Sequence, residues 1–283
     1  MPAENHIVNP SFNIASAITP ATKPVLLVQA GRQGISFAQL DSDSSTFISL
    51  QVYHFEKHTN DDAVANTIND ILSTENLLQQ HFKKIFVTWC FDENILVPFE
   101  YFDVSNANAM MDLVYGNGAQ AATQHEMVLA HNLHAVYRIP AAVKNVFSQW
   151  FPFSIQNHQS SLLINIEKVH TNLLYCIFYP HSFTVILRRS GQLQVIQNFE
   201  FSIPEDVAYH LLHICQGFEA AAPTTLLLSG MIDSHSNLYN ELYKYFLHIE
   251  FASLPGNFNY TDEIKEQPAH YFSHLFATAL CVL

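Results

Sequence analysis

The sequence VLLVQAGRQG, residues 25–34, joins a short apolar run to two glycines, Gly31 and Gly34. An apolar run bounded by glycines is typical of a buried strand that ends in a turn. Residues 35–40 and 46–53 have the same apolar character and are separated by a short polar segment. Three strands joined by short turns predict an antiparallel meander at the start of a sheet.

A helix and a further strand are predicted after this meander. Asp61 and Asp62 favour a helix start, because carboxylates stabilise the positive end of the helix dipole. The apolar residues that follow have the spacing of one helical face: Val64, Ile68, Ile71 and Leu72. Residues 84–89 then predict a buried strand. It should run parallel to the first strand, because a helical crossover returns the chain in the same direction.

The same order of elements is predicted a second time. Strands are predicted at residues 161–166, 172–179, 182–188 and 193–201. Pro204 begins a predicted helix, residues 225–230 form the returning strand, and Pro268 begins the last helix. One meander–helix–strand unit therefore occurs twice, starting near Val25 and near Ser161. We predict an α/β fold with a mixed sheet and flanking helices in each copy.

The two copies set the predicted domain organisation. Residues 1–24 are polar and punctuated by prolines, so they are predicted to form an N-terminal arm. The first copy is predicted to occupy residues 25–157 and the second copy residues 158–283. The last helix of the chain could pack across both copies.

The duplicated layout resembles a known fold. A meander, a crossover helix and a parallel strand are similar to the ribonuclease H-like unit. Two such units in tandem resemble the group of actin, Hsp70 and the sugar kinases. Over residues 25–283 the chain is most similar to an uncharacterised bacterial family assigned to the actin-like ATPase fold. The resemblance implies two ribonuclease H-like subdomains.

The resemblance also implies where a nucleotide would bind. Active members of the group bind ATP between the halves, where an Asp-x-Gly turn holds phosphate with its backbone N–H groups and Mg²⁺ with its carboxylate. In the first copy, Gly31 and Gly34 remain but Gln29 stands at the position of the acid. In the second copy, the matching turn should follow residues 161–166, with Asn165 at the position of the acid and Glu167 at the position of the glycine.

The adenosine loop of the group corresponds to Ser229-Gly230-Met231, which keeps one of two glycines. The remnants of a nucleotide cleft that the resemblance implies are Gly31, Gly34, Asn165, Thr171, Ser229 and Gly230. We interpret the chain as a pseudo-ATPase, a non-catalytic scaffold or partner-binding protein without ATP or Mg²⁺ as cofactor. The alternative is a divergent ATPase or small-molecule kinase in which Asp92, Glu93 or Glu167 supplies the metal ligand.

The composition of the chain limits the classes of partner and the location that we expect for it. The 12 Lys and Arg residues stand against 25 Asp and Glu residues, for a net charge of −13, so no basic surface for nucleic acid is expected. No apolar stretch approaches the ~20 residues of a membrane span, and no signal peptide pattern is present. The four cysteines lie apart among apolar residues, as is typical of reduced thiols. We expect a cytoplasmic protein whose partner is an unidentified protein, with a homodimer as a further possibility.

Three other groups contain residue types found in catalytic or metal sites: His125, Glu126, His131 and His134; His210 and His213; and Cys90 and Ser229. The histidine spacings match neither His-Glu-x-x-His nor a zinc signature. Neither possible nucleophile lies in a Gly-x-Ser-x-Gly elbow, and the sequence places no histidine beside it. We therefore predict structural roles for all three groups.

Overall fold

The structure of this chain is a computed structural model that describes residues 9–15, 23–56, 60–166, 172–219 and 224–282. The chain divides into two compact units. Unit 1 comprises Met1–Ser161 and Phe258–Ile264, and unit 2 comprises Leu162–Asn257 and Lys265–Leu283. The predicted domain boundary, at residue 157, lies close to the division after Ser161. The segment Phe258–Ile264 returns to unit 1, which the sequence did not predict.

The elements up to the division, with α4 extending across it, are, in chain order, β1 (Phe12–Ala15), β2 (Val25–Gly31), β3 (Gly34–Asp41), β4 (Thr46–His54), α1 (Asp61–Thr74), β5 (Lys84–Cys90), β6 (Asn94–Pro98), α2 (Ala107–Tyr115), β7 (Ala121–Val128), β8 (Leu133–Pro140), α3 (Ala141–Trp150), β9 (Ile155–His158) and α4 (Gln159–Leu163). The main sheet has the order β1-β4-β3-β2-β5-β9. β2 pairs antiparallel with β3 and parallel with β5. The predicted meander and returning strand are confirmed.

The core of unit 1 lies between the main sheet and the helices α1 and α3. Its fully buried side chains include Leu26, Val28, Phe37, Trp89 and Phe147. The helix α1 begins at the predicted place, because the side chain of its N-cap residue accepts a hydrogen bond from the backbone of the first turn. Aromatic rings such as Phe37, Trp89 and Phe147 add large apolar areas to this core, and their burial stabilises the unit.

A small sheet is inserted between β5 and α3. Its three strands have the order β6-β8-β7. The helix α2 packs on one face of this sheet, where Met111 of α2 and Val136 of β8 share one apolar cluster. The helix α2 ends where Gly116 interrupts the chain, and the two long strands β7 and β8 pair antiparallel with each other.

Residues Phe12–Ala15 fall within the predicted arm, yet they form β1 and pair antiparallel with β4. Ile14 is buried there, so alternation of apolar side chains outweighs the polar composition of the surrounding segment. The rest of the predicted arm lies mostly outside the described residues.

The remaining elements are, in chain order, β10 (Leu173–Phe178), β11 (Ser182–Arg189), β12 (Gln192–Glu200), α5 (Pro204–Gly217), β13 (Thr225–Gly230), α6 (Asn237–Leu242), β14 (Ile249–Phe251), β15 (Asn259–Tyr260), α7 (Asp262–Lys265) and α8 (Ala269–Val282). The sheet of unit 2 has the order β12-β11-β10-β13-β14. β10 pairs antiparallel with β11 and parallel with β13, as β2 does with β3 and β5. β15 belongs to unit 1, where it pairs with β4.

The strand predicted at residues 161–166 is wrong. Gln159–Leu163 is the helix α4, and Leu162, Leu163 and Ile164 are buried apolar residues at its end. A short apolar run has the same composition in a buried helix as in a strand, and periodicity cannot separate them. The meander of unit 2 begins instead with β10, at Leu173–Phe178.

Among the helices in the described ranges, none combines the length and the hydropathy needed to cross a bilayer.

Candidate functional site

The first turn, Gly31–Gly34, lies at the end of β2, where the resemblance places a phosphate-binding turn. Gly31 pairs with Gly34, so Arg32 and Gln33 form its tip. A Cβ atom on Gly31 would lie 2.6 Å from the carbonyl oxygen of Cys90, and one on Gly34 would lie 2.3 Å from that of Tyr53. Neighbouring strands therefore require both glycines, and their presence needs no bound phosphate to explain it.

The position of the acid in the first turn is occupied by a neutral, buried side chain. Gln29 lies directly opposite Ser36 of β3 and Thr88 of β5, and Thr88 lies opposite Asn157 of β9. Residues that lie opposite each other share a face of the sheet. We call Gln29, Ser36, Thr88 and Asn157 the polar row. Its amides and hydroxyls carry no charge.

The arginine at the tip of the first turn has a partner of its own. Arg32 forms an ion pair with Asp61 in the first turn of α1. This pair is partly exposed, so it contributes little to stability. It holds the one cation of the turn against a carboxylate.

The second turn, Tyr179–Ser182, is the counterpart of the first in unit 2. The N–H of Tyr179 donates to the carbonyl oxygen of Ser182 over 2.8 Å, which leaves Pro180 and His181 at the tip. Gln29 lies two residues before Gly31, the first residue of the first turn. The residue two before Tyr179, the first residue of the second turn, is Ile177, which is fully buried. The second turn has neither an acid nor a glycine, and Pro180 has no N–H to offer an anion.

The sequence placed this second turn wrongly. Because residues 161–166 are not a strand, Asn165 does not stand at a strand end, and its N–H donates to the carbonyl oxygen of Leu162 at the end of α4 over 3.0 Å. Thr171 and Glu167 lie outside the described residues. Gly230 therefore lies at the end of a strand, whereas Asn165 does not.

Gly230 ends β13 with a φ of +82°, in the left-handed region that favours glycine. A Cβ atom here would lie 2.1 Å from the carbonyl oxygen of Phe178 in β10. The close approach of two parallel strands thus accounts for Gly230, as it accounts for Gly31.

Ser229 has a histidine neighbour that the sequence did not predict. Its Oγ lies 3.2 Å from Nδ1 of His274, 2.8 Å from Oγ of Ser273 and 2.9 Å from the carbonyl oxygen of His270, all in α8. Burial lowers the pKa of His274 to about 4. Ser229 is fully buried, and among the described residues no carboxylate is hydrogen-bonded to His274. The group therefore ties α8 to β13.

This structural role can be tested by replacing the hydroxyl. We expect Ser229→Ala to reduce the free energy of unfolding by about 1–3 kcal/mol, because buried polar partners lose their hydrogen bond. Urea denaturation measures the change, and Ser148→Ala, at an exposed site on α3, is the control with an expected change below about 0.5 kcal/mol. Labelling of Ser229 by a fluorophosphonate would contradict the structural role.

The candidate metal ligand Glu93 is engaged in an ion pair. Its carboxylate lies 3.4 Å from the buried guanidinium of Arg138, which also contacts Asp112 and donates to the carbonyl oxygen of Gly116 over 2.9 Å. The carbonyl oxygen of Asp92 accepts a hydrogen bond from the side-chain amide of Asn94 over 3.0 Å. These contacts attach the inserted sheet to the end of β5.

The histidine groups pack against aromatic rings. His134 stacks on Phe102 with 4.0 Å between ring centroids, His125 lies 6.1 Å from His134, and burial together with His125 lowers the pKa of His134. His210 stacks on Phe199, with 4.2 Å between centroids. Within the described ranges, no group of three or more His, Cys, Asp or Glu residues is placed to hold a metal ion.

A buried network at the end of the polar row was missed by the sequence. The carboxylate of Glu126 accepts hydrogen bonds from the side chains of Asn157 and Ser161 and from the N–H of His158, the last over 2.6 Å. Burial raises the pKa of Glu126, and these three donors oppose the rise. These three donors occupy three of the about four lone-pair sites of the carboxylate, so Glu126 is a poor ligand for an added cation.

His158 is held neutral in the same network. Its Nδ1 accepts a hydrogen bond from the N–H of Ser160 over 3.1 Å, so Nε2 carries the proton and donates to the carbonyl oxygen of Phe91 over 2.8 Å. Burial lowers the pKa of His158 to about 4. The ring therefore joins β9 to the end of β5 without a charge.

Two meander–helix–strand units, each with a tight turn after its first strand, define a protein with the actin-like ATPase fold. A Bacteroides thetaiotaomicron protein with this fold and unknown function is similar, with a TM-score of 0.74 at 16% identity over 91% of this chain and 96% of that chain. No curated protein matches the sequence. The chain belongs to the family described as "Protein of unknown function (DUF3822)", whose model matches residues 16–249.

Two further solved structures share the fold. A chain of the PilM–PilN type IV pilus biogenesis complex has a TM-score of 0.56 at 10% identity, over 93% of this chain and 99% of that chain. The ethanolamine utilization protein EutJ from Carboxydothermus hydrogenoformans has a TM-score of 0.51 at 7% identity, over 94% and 92%. At these identities the likeness concerns the fold alone.

Proposed function

We propose that this protein is a non-catalytic, partner-binding member of the actin-like ATPase fold. The observation that carries the proposal is the pair of residues at the two acid positions. Gln29 and Ile177 both lack a charge, and both are buried. Magnesium in nucleotide sites is bound through carboxylate oxygens and phosphates, so loss of both acids removes the protein's share of the ligands.

The turns themselves support the same conclusion. An anion-binding turn needs backbone N–H groups that are free to point at the phosphate. In the second turn Pro180 removes one N–H, and Tyr179 uses its own to close the hairpin. In the first turn Arg32 is paired with Asp61. A triphosphate would therefore meet few donors in either unit.

A fold that keeps its layout after losing these ligands is suited to binding other proteins. One structural neighbour is a chain of the PilM–PilN type IV pilus biogenesis complex, which is a precedent for partner binding by a protein of this fold. The net charge of −13 disfavours nucleic acid as the partner. We propose a cytoplasmic location and a protein partner, with a second copy of this chain as one such partner.

Thermal unfolding with and without nucleotide tests the proposal. We expect about 1 mM Mg·ATP to leave the melting temperature unchanged. A site with a Kd near 10 µM would instead stabilise the folded state by about 2.7 kcal/mol at that concentration. A nucleotide-binding actin-like protein in the same buffer is the positive control. A rise that requires both magnesium and ATP would contradict the proposal and favour the divergent ATPase.

A further inference from the structure

The outer strand of the unit 2 sheet has an open edge. β12 runs over nine residues, Gln192–Glu200, and pairs only on its β11 side. Within the part of the chain that the structure describes, no strand pairs with its other side. β14, at the opposite edge of the sheet, has three residues. β12 is therefore the long edge of this unit.

The register shows which backbone groups face outward. The N–H of Phe201 donates to the carbonyl oxygen of His181 over 3.1 Å, next to the pair formed by Ser182 and Glu200. Hydrogen-bonded and non-hydrogen-bonded pairs alternate in an antiparallel ladder. Phe199 thus bonds to β11, whereas Ile196 and Asn198 point their N–H and C=O groups away from it.

This edge lacks the devices that usually protect open edges. Residues 192–199 contain no charged residue and no proline, and the one charge of β12, Glu200, lies at its last position, outside the segment 195–199. Lysine, proline and short length normally prevent edge strands from pairing with other chains. Other edges in the described structure have such features, since β6 ends at Pro98, β7 carries Glu126, and β9 has four residues. The bulge opposite Leu187 and Arg188 affects only the first residues of β12.

Unit 1 shows how the equivalent edge is completed. β4 is the third strand of its meander, as β12 is in unit 2, and the antiparallel strand β1 pairs along the outer side of β4. The chain thus covers one of its two duplicated edges with its own N-terminal segment. The edge of β12 has no such cover among the described elements.

We propose that β12 pairs antiparallel with β12 of a second copy of this chain. In a register centred on Gln197, Val195 lies opposite Phe199 of the other copy, and Ile196 lies opposite Asn198. The outward groups of Ile196 and Asn198 then bond to each other across the two-fold axis. No charge meets a like charge between residues 195 and 199, which matters for two chains that each carry −13.

This dimer would join two unit 2 sheets into one. The proposed dimer does not depend on whether the chain binds a nucleotide, so the test of the dimer and the test of nucleotide binding can fail separately. Sedimentation velocity of the purified full chain over a range of concentrations measures it. We expect a reversible dimer.

Gln197→Lys is the main variant, because Gln197 is exposed and its replacement keeps every backbone hydrogen bond. It places two lysines directly opposite each other, and we expect the dissociation constant to rise about fivefold. Gln192→Lys makes the same change in charge away from the two-fold axis and should leave the constant unchanged.

Asn198→Pro removes an outward N–H and should abolish the dimer, while Asn198→Thr, which keeps the N–H, should retain it. Circular dichroism checks that each variant folds. A chain that stays monomeric at about 100 µM overturns the proposal, as does a dimer that survives both Gln197→Lys and Asn198→Pro. Loss of the dimer on Ile14→Asp but not on the β12 variants would also overturn it, since exchange of β1 would then be the contact.

Discussion

Gly230→Ala is expected to destabilise the protein by at least about 3 kcal/mol. Alanine at a φ of +82° costs about 1–2 kcal/mol from backbone strain alone. Its methyl group would also lie 2.1 Å from the carbonyl oxygen of Phe178, an overlap that forces β13 away from β10. The parallel pair at the centre of the unit 2 sheet would have to separate at this end.

Variants of two other glycines separate the cost of backbone strain from the cost of the overlap. Gly191 has a φ of +75° but no atoms close to an added Cβ, so Gly191→Ala should cost only about 1 kcal/mol. Gly256 has neither constraint, and Gly256→Ala should change the free energy of unfolding by less than about 0.5 kcal/mol. Urea denaturation of the three variants gives the comparison. Equal effects at Gly230 and Gly256 would show that β13 does not approach β10 as described.

The second large effect is a loss of stability in mild acid. His158 and His274 are buried, and burial lowers the pKa of each ring to about 4, from an ordinary value of 6.5. In the unfolded chain each ring binds a proton near its ordinary pKa. Between pH 6.5 and about 4 the unfolded state therefore binds more protons, and stability falls as the pH falls through this window.

Each ring contributes about 3 kcal/mol of stability at neutral pH that is lost by about pH 4. Urea denaturation at pH 7.5, 5.5 and 4.5 measures the loss. His158→Gln and His274→Gln should each flatten the dependence, and His213→Gln, at an exposed position on α5, is the control. The raised pKa of Glu126 acts in the opposite direction, and Glu126→Gln isolates it. Constant stability across this range would contradict the buried, neutral rings.

The sequence predicted the elements whose signals are local. The meander at 25–53 and the strand at 84–89 combine apolar runs with glycine or helix-start residues next to them, and the structure has β2, β3, β4 and β5 there. Residues 161–166 carry an apolar run without any such neighbouring signal, and they form the end of a helix instead.

The buried side-chain contacts of the candidate site join residues that are far apart in the sequence, so no short stretch of sequence predicts them. His274 reaches Ser229 across 45 residues, and Glu126 reaches Ser161 across 35. Only the tertiary structure brings such side chains together. The second turn was missed for a related reason, since its position follows from the strand order and not from a glycine. The loss of the acid at Gln29 was visible in the sequence, whereas the one at Ile177 required the register of β10.

Isothermal titration of the purified chain with Mg·ATP tests the central claim, that neither unit retains the acid a magnesium nucleotide requires. The account predicts no saturable heat below about 1 mM, which corresponds to a binding free energy weaker than about 4 kcal/mol. A saturable heat in the micromolar range that disappears when magnesium is withheld would contradict it.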